Sequence, residues 1–307
     1  MRKFATILAT ILGVVVAVPA MATTLVVVAP SGSDGGDAGA SSAAPQKAKS
    51  IQIKGSDTMV NLGQAWAEAF SKRVPGVNIA VTGGGSGTGI TALINGTCDI
   101  AESSRAMEDK EIKLAEAKGV KPNQEKVALD GIAIVVHPKN PIKSLTMDQL
   151  REIFLGNIAN WKVLGGANKP IVILSREVNS GTHIFLKEHV LRRGVVKGPE
   201  EFAPSALMMS SSQAIADEVA GNENAVGYYG MGYIGPKQKV VAVAKDAKSP
   251  FIEPTIENVK ANTYPISRPL FLYTNGKPQG VVKDFLDFAY SKEGQEIVKK
   301  IDFVPVK

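Results

Sequence analysis

Cysteine is nearly absent from the chain. The single thiol, Cys98, has no partner for an internal disulfide, and without a Cys pair the protein can neither build a thiolate zinc site nor run thiol exchange. Three histidines leave little room for a histidine-built metal centre. Aromatic residues make up 6% of the 307 and charged residues 21%, against 44% hydrophobic, so collagen-like, coiled-coil and wholly disordered readings fall together. There is no repeat of solenoid period. Neither sign of charge dominates: 35 Lys and Arg against 29 Asp and Glu leave a net +6 spread along the chain, which suits attraction of anions without indicating nucleic acid. The length allows one or two domains, each with its own core.

The chain opens with Arg2 and Lys3 and then carries no charge from residue 4 to 29. A basic start, an apolar centre over residues 7–18 and the small residues Ala20 and Ala22 match an export signal cut after Ala22. The apolar run resumes at residues 25–29, and as a helix the whole stretch spans about 39 Å against a hydrocarbon core of about 30 Å. Cleavage and retention as an N-terminal membrane anchor therefore both fit residues 1–29. Residues 30–50 (PSGSDGGDAGASSAAPQKAKS) hold only small and polar types without apolar periodicity, which predicts a flexible linker.

From residue 51 one theme recurs: a short β-branched run, a turn rich in Gly, Ser and Thr, then an amphipathic helical stretch. This is the pattern of an α/β fold. Residues 51–54 lead into Gly55-Ser56-Asp57-Thr58, after which Val60, Leu62, Ala65, Trp66, Ala69 and Phe70 recur at near-helical spacing. Residues 77–81 run into TGGGSGTG at 82–89, and residues 171–174 into SREVNSGT at 175–182, each followed by a predicted helix, the last over residues 183–190. Residues 132–136 (IAIVV) predict a strand buried on both faces. Residues 264–273 (YPISRPLFLY) contain Pro265 and Pro269, so an extended segment is expected that is not wholly a central strand. These two stretches are the candidate crossings between two lobes, with lobe I at 51–132 plus 268–307 and lobe II at 133–267.

In open α/β sheets ligands sit beyond the carboxyl ends of the strands, where helix amino termini present free N–H groups and partial positive charge. Such turns bind anions. Glycine lets the backbone approach an oxyanion, and Ser and Thr hydroxyls donate to its oxygens or simply cap the helix. Arg176 adds a guanidinium that could hold a tetrahedral oxyanion with two parallel hydrogen bonds, or form an ion pair between lobes. A P-loop is excluded because Gly87-Thr88-Gly89 lacks the lysine, and Ser86 does not sit in a G-x-S-x-G elbow. His183 and His189 lie about 120 degrees apart on one predicted helix and cannot easily share a metal. His137 beside Pro138 reads as structural, and Cys98 as a small buried side chain.

Taken in series, Gly55-Ser56-Asp57-Thr58-Met59, Gly84-Gly85-Ser86-Gly87-Thr88-Gly89, Ser103-Ser104-Arg105, DGIAIVVHPKNP at 130–141, LTMDQLREIFLGNIANWKVLGG at 145–166 and REVNSGT at 176–182 resemble the periplasmic phosphate-binding proteins of ABC transporters. The resemblance covers almost all of 51–307. It implies a two-lobed α/β periplasmic binding protein of type II-like, Venus-flytrap form with two crossover segments. The lobes would close on one inorganic phosphate, delivered to a membrane permease. By motif, the contacts would be the hydroxyls of Thr58, Ser86, Ser180 and Thr182, Ser104 of the Ser-Ser-Arg turn, the backbone N–H groups of Met59 and Gly181, and the charge of Arg176. Many members carry an aspartate at the place of Ser104, where it accepts the proton that phosphate has and sulfate lacks; Asp57 is the candidate substitute, with helix capping as its alternative. Arg105 either reaches the ligand or pairs with a carboxylate such as Glu102. The resemblance implies an exported monomer that needs no cofactor or metal and binds no nucleic acid. The competing readings are a protein for another oxyanion such as sulfate, a phosphate sensor, and a phosphoryl-transfer enzyme. The last would need a nucleophile with a base beside it or a metal cluster, and no Ser has an evident His partner in the sequence.

Overall fold

A computed structural model describes residues 49–307. The leader falls outside the described residues, as does the linker except for Lys49 and Ser50, which already belong to the first strand. In chain order the elements are β1 (Lys49–Gly55), α1 (Val60–Arg73), β2 (Val77–Thr82), α2 (Ser86–Ile94), β3 (Ile100–Ser103), α3 (Asp109–Ala117) and β4 (Pro122–Val136). There follow β5 (Ser144–Thr146), α4 (Met147–Phe154), β6 (Val172–Arg176), α5 (Gly181–Leu186), β7 (Leu207–Met209), α6 (Ser212–Gly221), β8 (Ala225–Gly230) and β9 (Lys239–Ala244). The chain ends through α7 (Ile256–Lys260), β10 (Ser267–Asn275), α8 (Gly280–Tyr290), α9 (Lys292–Lys300) and β11 (Val304–Pro305).

The strands run in the order β2-β1-β3-β10-β4-β8-β6-β7. β1 pairs in parallel with β2 and β3, as β-turn-α units require, whereas β10 lies antiparallel to β3 and β4. β4 belongs to both halves. Its amino-terminal part pairs with β10 and β11, and residues 132–136 pair with β8 and β9. Those five residues are fully buried, as their unbroken apolar run predicts.

On α1 the 3.6-residue spacing brings Leu62, Trp66 and Phe70 onto one buried face. Phe70 meets Phe285 edge-on at 5.5 Å, and the Trp66 indole donates to the Gly294 carbonyl at 2.9 Å, so α1 is tied to α8 and α9 from the far end of the chain.

One expectation holds and one needs correction. As Pro269 suggested, β10 is extended but not central throughout: its β3 partner spans only Phe271 to Tyr273, and the ladder to β4 shifts between Leu270 and Phe271. Pro269 therefore lies outside the stretch with a strand on both sides, where its missing N–H breaks no bond to β3. The helix expected over 183–190 starts at Gly181 and changes to π geometry at Lys187–Leu191.

Candidate functional site

Four turns converge. They are the β1–α1 turn with Asp57, Thr58 and Met59, the β2–α2 turn with Gly85 and Ser86, the end of β3 with Ser103 and Ser104, and the β6–α5 turn with Arg176 and residues 179–182. Thr58 Oγ1 and Thr182 Oγ1, from the first and last of these turns, are 2.9 Å apart. Ser86 Oγ lies 3.3 Å from Ser104 Oγ and accepts the Ser104 N–H at 3.0 Å. A methyl group at Gly181 would come within 2.4 Å of Ser86 Oγ and 2.7 Å of Ser104 Oγ, so the start of α5 is seated against both serines. Thr58, Ser86, Ser104, Ser180 and Thr182 are all buried. Gly85, at φ 93, caps α2 in a conformation that favours glycine and leaves room for the Asn179 carbonyl, which a Cβ would approach to 2.8 Å.

The capping and ligand readings of Ser180 are compatible. Its oxygen accepts the N–H groups of Thr182 and His183, leaving its own hydrogen to donate elsewhere. The Met59 N–H departs from expectation: it donates to the Ser56 carbonyl at 2.9 Å and closes the β1–α1 turn. Asp57 does not cap α1, whose amino-terminal cap is Met59. Its carboxylate accepts the Gly84 N–H at 3.2 Å and meets Arg176 Nη2 at 2.5 Å.

Arg176 is almost fully engaged. Nε donates to the Met209 carbonyl, Nη1 to Ser212 Oγ, and Nη2 to Asp57 and the Ser210 carbonyl. One N–H on Nη1 is left over, so two parallel bonds to an oxyanion would require exchanging a partner. Of the two readings of this residue, the ion pair is the one present, with Asp57.

Arg105 takes the structural alternative with a different carboxylate: it holds Glu111 through two bonds of 2.7 Å. Glu102 is fully buried with both side-chain oxygens unpartnered, and burial, then the nearby Asp57 charge, push its carboxyl well above the usual range.

A Ser–His contact does exist, contrary to the sequence expectation. Ser175 Oγ lies 3.1 Å from His183 Nδ1 and 2.7 Å from the Tyr228 hydroxyl. All three side chains are buried, and burial pushes His183 down to about 4, so this is a core network and not an exposed nucleophile with its base. Among the described residues no group of three or more His, Cys, Asp or Glu could hold a metal. Cys98 is buried, and burial pushes its thiol up to about 11.

Residues 40–293 match the model of the PBP superfamily domain. The phosphate-binding protein PstS of Pseudomonas aeruginosa is 36% identical over 269 residues, covering 82% of this chain and 81% of that protein. PstS of Bacillus subtilis is 33% identical over 258 residues, covering 84% and 81%. The chain belongs to the PBP superfamily, in its PstS family. A solved PstS-like relative, a candidate phosphate ABC transporter substrate-binding protein from Clostridium perfringens with bound phosphate, superposes with a TM-score of 0.75 at 35% identity, covering 84% of this chain and all of that one. An ABC-type phosphate transport receptor from Vibrio cholerae gives 0.65 at 29% identity over 84% and 100%. The two-lobed periplasmic binding protein fold is thereby established for this PstS family member.

Three residues at the PstS-like site escaped the sequence reading. Arg268 and Asp130 form a buried pair, with Nε and Nη2 of the arginine at 3.0 and 2.9 Å from one carboxylate oxygen. Arg268 Nη2 also lies 3.2 Å from Thr58 Oγ1 and 3.0 Å from Thr182 Oγ1. The signal available was an arginine between two prolines in an otherwise apolar run. Asn179 closes the mouth, its amide donating to the Gly84 carbonyl and Thr88 Oγ1 while its carbonyl accepts the Gly87 N–H. A mainly apolar groove of about 480 Å³, lined by Met107, Ile112, Val120, Pro122 and Tyr273 with Lys121 and Gln124 among them, lies elsewhere.

Proposed function

We propose that this protein binds inorganic phosphate between its lobes and delivers it to the membrane permease of an ABC transporter, without chemical change to the ligand. The observation that carries this reading is the meeting of hydroxyl and N–H donors from both lobes at one buried place: Thr58, Ser86 and Ser104 opposite Ser180, Gly181, Thr182 and Arg176. The relatives named as phosphate-binding proteins and the bound phosphate in the Clostridium perfringens structure support it.

A ligand shifts the balance between open and closed lobes only by what it gains in the closed one. Phosphate held by Thr58 and Ser86 on one side and Ser180 to Thr182 on the other gains its contacts only when both lobes engage. Two arginines at the site are each matched by an aspartate, so the ligand's charge is met chiefly by hydroxyl and backbone dipoles. In this reading the lobes are residues 49–132 plus 268–307 and residues 133–267, the protein acts as an exported monomer, and residues 1–48 supply the signal or anchor and its linker.

The test is the unfolding midpoint of phosphate-free protein with phosphate or sulfate added at matched ionic strength. Ligand at about a thousand times its dissociation constant stabilises the native state by about 4 kcal/mol. A shift with phosphate well above that with sulfate is expected. Equal shifts would favour the broader oxyanion reading, which Ser104 motivates, and no shift with either would refute the proposal. Release of phosphate from an added ester would refute the non-enzymatic part.

A further inference from the structure

Among the residues around the site, Arg268 has no role in the contacts expected from the turns, yet it reaches both hydroxyls that meet across the cleft. It sits on β10, the strand that returns the chain toward lobe I, and its side chain is 1% exposed. Nε and Nη2 are held by Asp130, itself fully buried and further fixed by the Met231 N–H at 3.1 Å. Nη2 then lies within hydrogen-bond distance of Thr58 Oγ1 and Thr182 Oγ1, and Nη1 is buried without any partner. A guanidinium carries only donors, so the two hydroxyls must accept from it. In the structure one of the two hydroxyls donates to the other at 2.9 Å, and an oxyanion entering between them can take both hydrogens because the guanidinium occupies a lone pair of each. An ion pair with spare donors in a site that excludes water also presents its positive end to whatever the hydroxyls hold.

We infer that Arg268 is a second cationic element of the phosphate site, which sets Thr58 and Thr182 as donors and places positive charge against the oxyanion they bind. The inference rests on the phosphate reading above. Lobe II then supplies one guanidinium through Arg176 and the crossing strand supplies the other, so the ligand is gripped from the hinge side as well as by the two lobes. Asp130 acts on the ligand only by holding Arg268.

The test is calorimetric titration of inorganic phosphate into the full chain freed of ligand by unfolding and refolding. The parent is compared with Arg268→Lys and with the doubly neutral Arg268→Met/Asp130→Asn, whose amide keeps an acceptor for the Met231 N–H. Each variant is also melted without ligand. Removing a buried charge that faces the ligand is expected to weaken binding at least about 30-fold in the double variant, with Arg268→Lys between it and the parent. A purely structural Arg268 would lower the melting temperature and leave the dissociation constant, measured well below that temperature, within about threefold of the parent. That result in either variant overturns the inference. Should the double variant not fold, Arg268→Lys alone decides by the same threefold criterion. A parent that binds no phosphate overturns the functional reading itself, an outcome distinct from a parent that binds and variants that bind equally well.

Discussion

Replacing Gly181 by Ala isolates the contact between the lobes from the chemistry of the ligand. Alanine keeps the Gly181 N–H and suits the first position of α5, and Gly181 is not among the glycines with positive φ, so the backbone accepts a Cβ without strain. The only cost arises across the cleft, where the new methyl would stand 2.4 Å from Ser86 Oγ, 2.7 Å from Ser104 Oγ and 3.0 Å from Ser86 Cβ. Ser86 cannot swing away freely, because its oxygen holds the Ser104 N–H. Overpacking of this kind costs about 1 to 3 kcal/mol, and because the open form is free of it the whole penalty falls on closure. At 1.4 kcal/mol per factor of ten, phosphate binding should weaken by about 5- to 150-fold. Titration of ligand-free protein reads this directly. The melting temperature without ligand should fall far less than the midpoint at saturating phosphate. An unchanged dissociation constant, or an equal fall in both midpoints, would refute the idea that the two lobes close on each other at this glycine.

Arg176→Ala leaves Asp57 without its cation and removes a charge-assisted donor, so phosphate affinity should fall by about 2 to 5 kcal/mol in direct titration; parental affinity would remove Arg176 from the site. Asp57→Asn keeps an acceptor for Gly84 but loses a carboxylate able to accept a ligand proton. The ratio of sulfate to phosphate dissociation constants should therefore drop, and an unchanged ratio would show that Asp57 serves Arg176 alone. His183 is held neutral by burial first and then by the charge of Lys187, which brings it down to about 4 from 6.5. Below pH 6.5 the unfolded chain takes the proton that the folded one refuses, so stability falls as pH drops from about 6.5 to about 4, by up to about 3 kcal/mol. Denaturant titrations at both ends of that window should show a larger loss in the parent than in His183→Gln, and equal losses would place the titration elsewhere.

The three strand-to-turn-to-helix units could be read along the chain because each is local. β-branched runs, a glycine that admits unusual φ, and a hydroxyl at a helix start lie within about a dozen residues of one another, the range over which periodicity and capping act. The same locality made residues 132–136 legible as a doubly buried strand. At β10 Pro269 marked a strand that is not central throughout, while the short reach of β3 and the shift opposite Leu270 came only with the structure. Locality failed at Ser175 and His183, whose contact depends on the strand and helix facing each other. By itself, the sequence determined the α/β grammar, the anion-suited turns and the family. Only the tertiary structure decided which charges meet: Asp57 with Arg176 at a separation of 119 residues, Asp130 with Arg268 at 138, and Arg268 with Thr58 at 210. The physical reason is that residue type and spacing report what a segment prefers, whereas pairing of buried charges depends on where crossing strands bring distant segments together, and burial then leaves each charge no partner but the one opposite.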